Sequence, residues 1–283
     1  MTPILHIRLL GDFLVCAEDR SLSALNVPRI QALLTYLVLK RNAPQPRRHL
    51  AFLLWPDSTE AQARANLRKL LHQLQHALPG ADGYLRIDTQ TIQWRAEAPF
   101  TLDVADFEQA LDRAAIAAYS DDAAAERAAL EPAIRVYCGE LLPSCYDEWL
   151  MPERERLHQA FLGALERLIR LAEQQHDYPA AIRYAQRLLR DDPLHEATYR
   201  QLMRLHAQHG DRASALDTYR TCAAILKREL GVEPSAATRA AYEQLQQPER
   251  TQSRPNNLPA QPTSFIGRAA ELNKLARLLA HPN

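Results

Sequence analysis

Basic and amide side chains crowd one stretch of the chain, between Arg64 and Leu78, with no acid among them. These residue types suit nucleic acid, because Arg pairs bidentately with guanine, Asn or Gln pairs with adenine, and Lys neutralises phosphate. If the stretch is helical, its polar face would enter a DNA major groove. The alternative is an ordinary amphipathic core helix with a solvated basic face. The candidate residues are Arg64, Asn66, Arg68, Lys69, His72 and Gln73.

Leucines at helical spacing supply the buried side of the same stretch. They stand at i, i+3, i+4, i+7 and i+11, which predicts one apolar stripe: Leu67, Leu70, Leu71, Leu74 and Leu78. Asp57 stands three residues before Glu60, which is the spacing of a capping box. We therefore predict that the helix starts at Ser58 or Thr59.

A shorter helix is predicted just before this one. The apolar run 52–54 together with Trp55 suits a buried helix, and Pro56 ends it. Arg47 and Arg48 open the segment and are further candidates for DNA contact.

The N-terminal residues predict a small β-sheet followed by a helix. Apolar side chains alternate over residues 5–9, a turn or bulge is expected at residues 11–12, and the alternation continues over 13–15. A second short strand is expected between Leu22 and Val27. A helix should then run from Pro28 to Lys40, with proline at its first position.

A β-hairpin is predicted after the long helix, because residues 84–87 and 91–94 alternate with period two around a turn at 88–90. Small sheet, three helices and hairpin follow the order of a winged helix-turn-helix of the OmpR type. In that layout the third helix enters the major groove and the hairpin, or wing, reaches the neighbouring backbone or minor groove. The polar tip of the wing would be Arg86, Thr89, Gln90, Thr91 and Arg95.

Charge is distributed unevenly along a chain of zero net charge. Residues 1–95 hold 12 Lys or Arg against 7 Asp or Glu, and residues 96–283 hold 22 against 27. This asymmetry favours a nucleic-acid-facing N-terminal module. The four scattered cysteines lack metal spacing and fit thiols in a reducing cytoplasm. No signal peptide pattern and no apolar segment of about 18 residues is present, so we predict a cytoplasmic protein without a membrane partner.

A 34-residue repeat occupies the second half of the chain. HDYPAAI at 176–182 aligns with GDRASAL at 210–216, and Leu168 pairs with Leu202 at the same offset. A period of about 34 with small residues in the second helix is the tetratricopeptide signature.

Two repeat units cannot bury their faces alone, so other segments should cap them. We expect helices within residues 103–150 and the segment 234–245 to do so. Residues 247–263 read as an exposed linker rich in Gln, Pro, Asn and Ser. Residues 264–283 then begin a new element that is too short to form a domain.

The chain resembles a known family over roughly residues 4–246. Residues 29–78 resemble the winged-helix domain of SARP-type transcriptional activators. Residues 147–157 and 191–245 resemble the bacterial transcriptional activator domain that follows it, and the most specific matches are the segments DPLHE and LGVEPS. The tail NLPAQPTSFIGRAAEL resembles the entry to the STAND-class nucleotide-binding domain of larger members, although its phosphate loop is absent here.

The expected fold is mostly α with a small β component, a winged helix-turn-helix followed by a tetratricopeptide-like helical repeat domain. The expected divisions are a DNA-binding domain at 1–98, an activator domain at 101–246, a linker at 247–263 and a truncated nucleotide-binding domain at 264–283.

The resemblance implies a sequence-specific transcriptional activator. It implies binding to double-stranded DNA at promoter repeats as a homodimer, and contact with RNA polymerase. No cofactor is implied for the residues present, whereas ATP or ADP is implied for the missing C-terminal module. The family's recognition helix is often richer in Arg toward its end than this one, where Gln73, Gln75 and His76 stand.

Three other interpretations were weighed. His72 and His76 have the i, i+4 spacing of a zinc pair, but no Cys, Asp or Glu stands near them, so no metal site is predicted. No GxSxG, GxGxxG or phosphate loop is present, so no enzyme is predicted for these residues, although the full-length protein could hydrolyse ATP. The third is a tetratricopeptide scaffold for protein–protein interaction within a STAND-type signalling ATPase.

Overall fold

The computed structural model describes residues 3–18, 20–247 and 273–274. Those up to Leu245 belong to one compact unit. Within them the strands are β1 Leu5–Arg8, β2 Leu14–Ala17, β3 Arg20–Ser21, β4 Gln45–Pro46, β5 Leu85–Ile87, β6 Thr91–Trp94 and β7 Phe100–Leu102. The helices are α1 Pro28–Leu39, α2 Arg47–Leu54, α3 Glu60–Ala77, α4 Asp103–Tyr119, α5 Ala123–Val136, α6 Met151–Gln174, α7 Tyr178–Asp191, α8 Glu196–Gln208, α9 Arg212–Leu230 and α10 Ala236–Gln246.

The predicted linker and nucleotide-binding start lie outside the described residues, apart from Gln247 and residues 273–274. The division of the chain at residues 98 and 101 also stays a prediction. The described residues on both sides of that division share one hydrophobic core.

The N-terminal sheet has the strand order β3-β2-β1-β7. Alternation predicted the first hairpin correctly: β1 pairs antiparallel with β2, and Leu5 and Ile7 are buried. The parallel pairing of β1 with β7 was not predicted, because Leu5 and its partner Phe100 are far apart in sequence. Strand β7 leads directly into α4.

The predicted strand between Leu22 and Val27 is wrong. The ladder ends at β3, and residues 23–25 form a single turn of 3₁₀ helix. The amide of Leu25 donates to Leu22 O at 3.0 Å, and the amide of Asn26 donates to Ser23 O at 3.0 Å. Because the turn satisfies these amides locally, it places Leu25 in the core, fully buried, without a strand partner.

Helices α1, α2 and α3 form the helix-turn-helix region. The predicted extent of α1 is close to that observed, α2 ends before Pro56 as predicted, and α3 begins one residue after the predicted start at Ser58 or Thr59. Asp57 does not cap α3. Thr59 is the N-cap residue, and its hydroxyl accepts a hydrogen bond from the Gln62 amide at 3.4 Å. The capping-box spacing therefore indicated Asp57, two residues before the observed N-cap Thr59.

Replacing Thr59 with alanine is expected to lower the free energy of unfolding by about 1 kcal/mol, because the Gln62 amide loses its acceptor. Urea denaturation measures this. The matched control is Asp57→Ala, which should change the free energy of unfolding by less than about 0.5 kcal/mol. A larger loss in the control than in Thr59→Ala would restore Asp57 as the cap.

The wing is the predicted hairpin of β5 and β6, with Leu85 opposite Trp94 and Ile87 opposite Ile92. A third short strand, β4, pairs with β6 and was not predicted. It stands immediately before α2, so the wing is fastened to the start of that helix. The ring of Trp94 is fully buried at the base of the wing, stacked on Tyr84 at 5.6 Å between ring centroids.

The predicted repeat is confirmed as two helix pairs, α6 with α7 and α8 with α9. Leu168 and its 34-residue equivalent Leu202 are buried. Ala181 and Ala215 are fully buried where a larger side chain would not fit between closely packed helices. These pairs therefore form a tetratricopeptide-like repeat.

Helix α10 packs against the second repeat, as the capping prediction requires. The ring of Tyr242 stacks on Tyr219 of α9 at 4.0 Å between centroids. Glu196 of α8 accepts hydrogen bonds from the amide and the hydroxyl of Ser235, at 2.8 and 2.6 Å. The LGVEPS turn thus fixes α10 to the repeat.

The N-terminal sheet is joined to the repeat region through the loop between α5 and α6. The amide of Leu142 donates to Leu9 O at 2.8 Å, and the amide of Gly11 donates to Glu140 O at 2.9 Å. Gly11 has φ +93°, and a Cβ there would lie 3.2 Å from the carbonyl carbon of Cys138. Only glycine combines this conformation with so close an approach.

One buried guanidinium holds that loop in place. Arg154 of α6 is 8% exposed and donates to three main-chain oxygens: Leu141 O at 2.7 Å, Cys145 O at 2.6 Å, and Leu142 O. Leu141 and Leu142 are fully buried, so the Arg154 side chain satisfies carbonyl groups that would otherwise lack a donor.

Candidate nucleic-acid interface

Helix α3 has two sides of opposite character. The leucine stripe is buried as predicted, with every member at most 5% exposed: Leu67, Leu70, Leu71, Leu74 and Leu78. The opposite side faces solvent and carries these candidates: Arg68, Lys69, His72 and Gln73. The helix has 18 residues, which corresponds to a length of about 27 Å. Several turns of polar surface are therefore open to a partner.

A cleft of 490 Å³ lies between the start of α2, one flank of α3 and the turn of the wing. It brings together candidates that three separate parts of the sequence supplied: Arg47, Arg48, Arg64, Arg68, Thr89 and Gln90. Pro46 and Leu67 complete the lining. We call this feature the four-arginine cleft. Four guanidinium groups around one opening suit an anion such as a backbone phosphate.

Arg47 is the half-buried member of the cleft and fastens the wing to α2. Its amide donates to Gln90 O at 2.8 Å, and its guanidinium Nη1 donates to Asp88 O at 3.1 Å. Part of the hydrogen-bonding capacity of the Arg47 side chain is therefore used within the protein. It positions the wing tip beside α3.

The turn of the wing is organised by one carboxylate. Asp88 accepts hydrogen bonds from the amides of Gln90 and Thr91, at 2.8 and 2.6 Å, and from the Thr91 hydroxyl at 2.7 Å. The hydrogen bond from the Thr91 amide is the main reason that the pKa of Asp88 lies below its ordinary value. Thr91 therefore serves the turn, whereas Thr89 and Gln90 are exposed at its tip.

The two other wing candidates lie away from the tip. Arg86 is exposed on β5. Arg95 follows the last residue of β6, at the end of the hairpin opposite the turn, and lies 3.8 Å from Glu97. The structure therefore does not place Arg95 at the wing tip, where the sequence interpretation had put it.

Glu60, the first residue of α3, is an acid within reach of the cleft. Its Oε1 lies 2.7 Å from Nη2 of Arg64 and 3.5 Å from Nε of Arg48. The Arg48 guanidinium also lies 5.9 Å from the ring centroid of Phe52. One carboxylate oxygen thus holds two of the four arginines. The sequence interpretation gave Glu60 only a capping role.

Asn66 lies outside the cleft, and its carbonyl oxygen accepts a hydrogen bond from the Gln62 side chain at 2.9 Å. Gln62 is exposed one turn earlier on α3 and was missed among the candidates, although its i, i+4 spacing from Asn66 was a usable signal. His72 lies against His76, with ring centroids 4.0 Å apart, and His76 Nδ1 is 2.8 Å from His72 O. The histidines thus interact with each other.

Two further findings apply to the described residues. They contain no group of three or more His, Cys, Asp or Glu side chains that could hold a metal ion. Across the same residues, no helix is both long enough and apolar enough to pass through a membrane.

A winged helix-turn-helix with a basic cleft beside its third helix, joined to tetratricopeptide-like repeats, defines a class of transcriptional regulators. The sequence model described as "Bacterial transcriptional activator domain" matches residues 102–246, which is half of the chain. The chain therefore belongs to this family, among the SARP-type regulators.

Curated relatives agree with this assignment. The chain is 26% identical to the regulatory protein AfsR of Streptomyces coelicolor over 277 residues, which cover 93% of this chain and 28% of AfsR. It is 28% identical to the transcriptional regulatory protein MoaR1 of Mycobacterium bovis and of Mycobacterium tuberculosis, over 78% of this chain and 73% of the relative. The chain thus spans less than a third of the length of AfsR. These relatives are named as regulators and not as enzymes.

A solved structure shares the fold. Mycobacterium tuberculosis EmbR, determined in complex with a low affinity phosphopeptide, matches with a TM-score of 0.66 and 23% sequence identity. The match covers 86% of this chain and 66% of that chain. It supports the arrangement of the winged helix and the helical repeats.

Proposed function

We propose that this chain is a sequence-specific DNA-binding transcriptional activator that docks on promoter repeats through its winged helix. The observation that carries the proposal is the four-arginine cleft. It lies where the exposed face of α3 meets the wing tip, so a duplex seated on α3 would bring a phosphate of its backbone to the cleft.

The candidates then divide into two groups by position. Arg48, Arg64 and Arg68 line the cleft and would bind phosphate, which fixes the register of the protein on the duplex. Lys69, His72 and Gln73 lie on the exposed side of α3, away from the cleft lining, and would face the base edges.

Asn66 and Gln62 are joined by a hydrogen bond and would approach the groove as a pair. A side-chain amide pair of this kind retains free donors and acceptors for adenine. Thr89, Gln90 and Arg86 would approach the neighbouring backbone from the wing.

A second proposed partner is RNA polymerase. A groove of 720 Å³ lies between the end of α2 and the loop before α6, and its lining includes Asp57, Glu148 and the aromatic side chains of Phe52 and Tyr146. Tyr146 is 85% exposed and Phe52 is 38% exposed. The acidic side chains would repel DNA. Exposed aromatic rings are typical of surfaces that bind another protein. The groove therefore supports contact with the transcription machinery while α3 holds DNA.

On promoter repeats we propose that the protein acts as a homodimer, with each winged helix on one repeat. As a protein that works on bacterial promoters it would act in the cytoplasm. We also propose that a nucleotide-binding module using ATP or ADP follows these residues in the full-length protein and gates the arrangement.

The second candidate function is a tetratricopeptide scaffold for protein–protein interaction. A groove of 460 Å³ between α7, α8 and α9 favours it, with Arg190, Tyr199, His206 and Asp217 among its lining residues. Burial lowers the pKa of His206 in this groove. This groove is compatible with the activator function, since it lies on the repeat and not on the winged helix.

The test is genome-wide mapping of DNA bound by this chain, followed by footprinting and by titration of the best site over a range of salt concentrations. Four cations per protomer are directed at phosphate, namely Arg48, Arg64, Arg68 and Arg86, and they should give a slope of log affinity against log salt of about −3 to −4. Footprints should cover repeated half-sites. A flat salt response, or the absence of any preferred sequence, would reject DNA recognition and favour the scaffold.

A further inference from the structure

We propose that Glu60 is an internal competitor for phosphate, which holds Arg48 and Arg64 until DNA displaces it and thereby limits the affinity of a single protomer. This inference rests on the proposed DNA-binding function and adds a residue that regulates the same site.

The geometry is that of an anion already bound by two arginines of the cleft. Glu60 Oε1 lies 2.7 Å from Arg64 Nη2 and 3.5 Å from Arg48 Nε, and both arginines line the cleft. A carboxylate and a phosphate offer guanidinium groups the same kind of oxygen acceptor. A phosphate arriving at the cleft would therefore compete with Glu60 for the same donors.

Exposure makes the competition reversible. The side chains of Glu60, Arg64 and Arg48 are 42%, 58% and 68% exposed. Ion pairs this accessible to water are weak, so DNA can replace the carboxylate at small cost. A fully buried pair would instead lock the arginines away from any ligand.

Glu60 also acts through its charge. It stands at the first position of α3, on the edge of the surface that would face DNA. Once displaced from the arginines, the carboxylate lies beside the polyanionic backbone and repels it. Both effects, occupation and repulsion, lower affinity for DNA of any sequence. Stable occupancy would then depend on two protomers bound side by side on adjacent repeats.

The test compares Glu60→Gln with wild type on a footprinted site and on a scrambled duplex of equal length. Glu60→Gln should raise affinity for both duplexes about three- to fivefold. The slope of log affinity against log salt should become steeper by about one unit, because the carboxylate no longer offsets one positive charge beside the DNA backbone.

Two further variants separate the causes. Asp82→Asn removes an acid elsewhere on the winged helix and makes the same change in net charge; Asp82 lies outside the cleft and should leave affinity within about twofold of wild type. Glu60→Asp keeps the charge on a shorter arm, so it frees the arginines without removing repulsion and should give a smaller rise than Glu60→Gln.

The outcomes are decisive. Lower affinity in Glu60→Gln would mean that Glu60 pre-organises the arginines, and equal gains in Glu60→Gln and Asp82→Asn would mean general electrostatics; either result overturns the inference. If wild type binds no DNA at all, the proposed function itself fails. Melting temperatures of all variants show whether helix α3 is retained.

Discussion

Replacing Arg64 and Arg68 together with alanine is expected to lower affinity for the footprinted promoter site by about 3 kcal/mol, roughly 100-fold. Both side chains line the four-arginine cleft from one flank of α3, and both are exposed, so removing them would eliminate the proposed phosphate contacts without disturbing the core. The slope of log affinity against log salt should become shallower by about two units, since two counterion-releasing contacts are lost. Fluorescence anisotropy across a salt series measures both quantities.

The matched control removes two exposed arginines from the repeat region, Arg183 and Arg204, and so makes the same change in net charge. Its affinity should stay within about threefold of wild type, because these residues lie outside the cleft and are screened from bound DNA. An equal loss in both double variants would assign the effect to overall charge and would remove the cleft from the DNA interface.

Replacing Arg154 with alanine is expected to have the largest effect on stability, a loss of about 3–5 kcal/mol in the free energy of unfolding. Three main-chain oxygens, those of Leu141, Leu142 and Cys145, would lose their donor, and Leu141 and Leu142 are fully buried. The same loop carries the hydrogen bond from Leu142 to Leu9, so its loosening should spread to the N-terminal sheet. Urea denaturation followed by circular dichroism measures the change.

Arg156, two residues further along α6, provides the control. Its side chain is 51% exposed and pairs with Glu108 and Glu153 at the surface. Arg156→Ala should cost no more than about 1 kcal/mol, because exposed ion pairs contribute little. If Arg156→Ala destabilised the protein as much as Arg154→Ala, the buried carbonyl groups would not be the reason for the effect.

The elements that sequence reasoning predicted correctly are those specified by local periodicity. The leucine stripe of α3, the hairpin of β5 and β6 and the 34-residue repeat each repeat within a few tens of residues. The errors arose where the local structure depends on a partner far away in the sequence or on a single side chain. The weak alternation of apolar and polar side chains over residues 22–27 suggested a strand. A tight turn satisfies the amides of Leu25 and Asn26 instead. Strands β4 and β7 are too short to produce a pattern, and pairing alone makes them strands.

The candidate site shows the same limit. Residue type and helical periodicity identified all four arginines of the cleft, because basic side chains on two predicted helices can be recognised one by one. Their meeting in one cleft depends on β4 fastening the wing to α2, which no local pattern reveals. The hydrogen bonds of Arg47 and Thr91 to the wing turn could not be predicted for the same reason. DNA contact by these residues, and by the exposed face of α3, stays a prediction that the variants above would test.

The parallel pairing of β1 with β7 also sets an order of events during synthesis. Leu5 leaves the ribosome 95 residues ahead of its partner Phe100, so the edge of β1 stays open while the three helices and the wing are being made. Strand edges left open in a nascent chain invite association with other chains. A fragment that stopped at residue 98 would keep that edge open permanently. The N-terminal sheet is therefore complete only after residue 102, the first residue of the activator domain, has been synthesised.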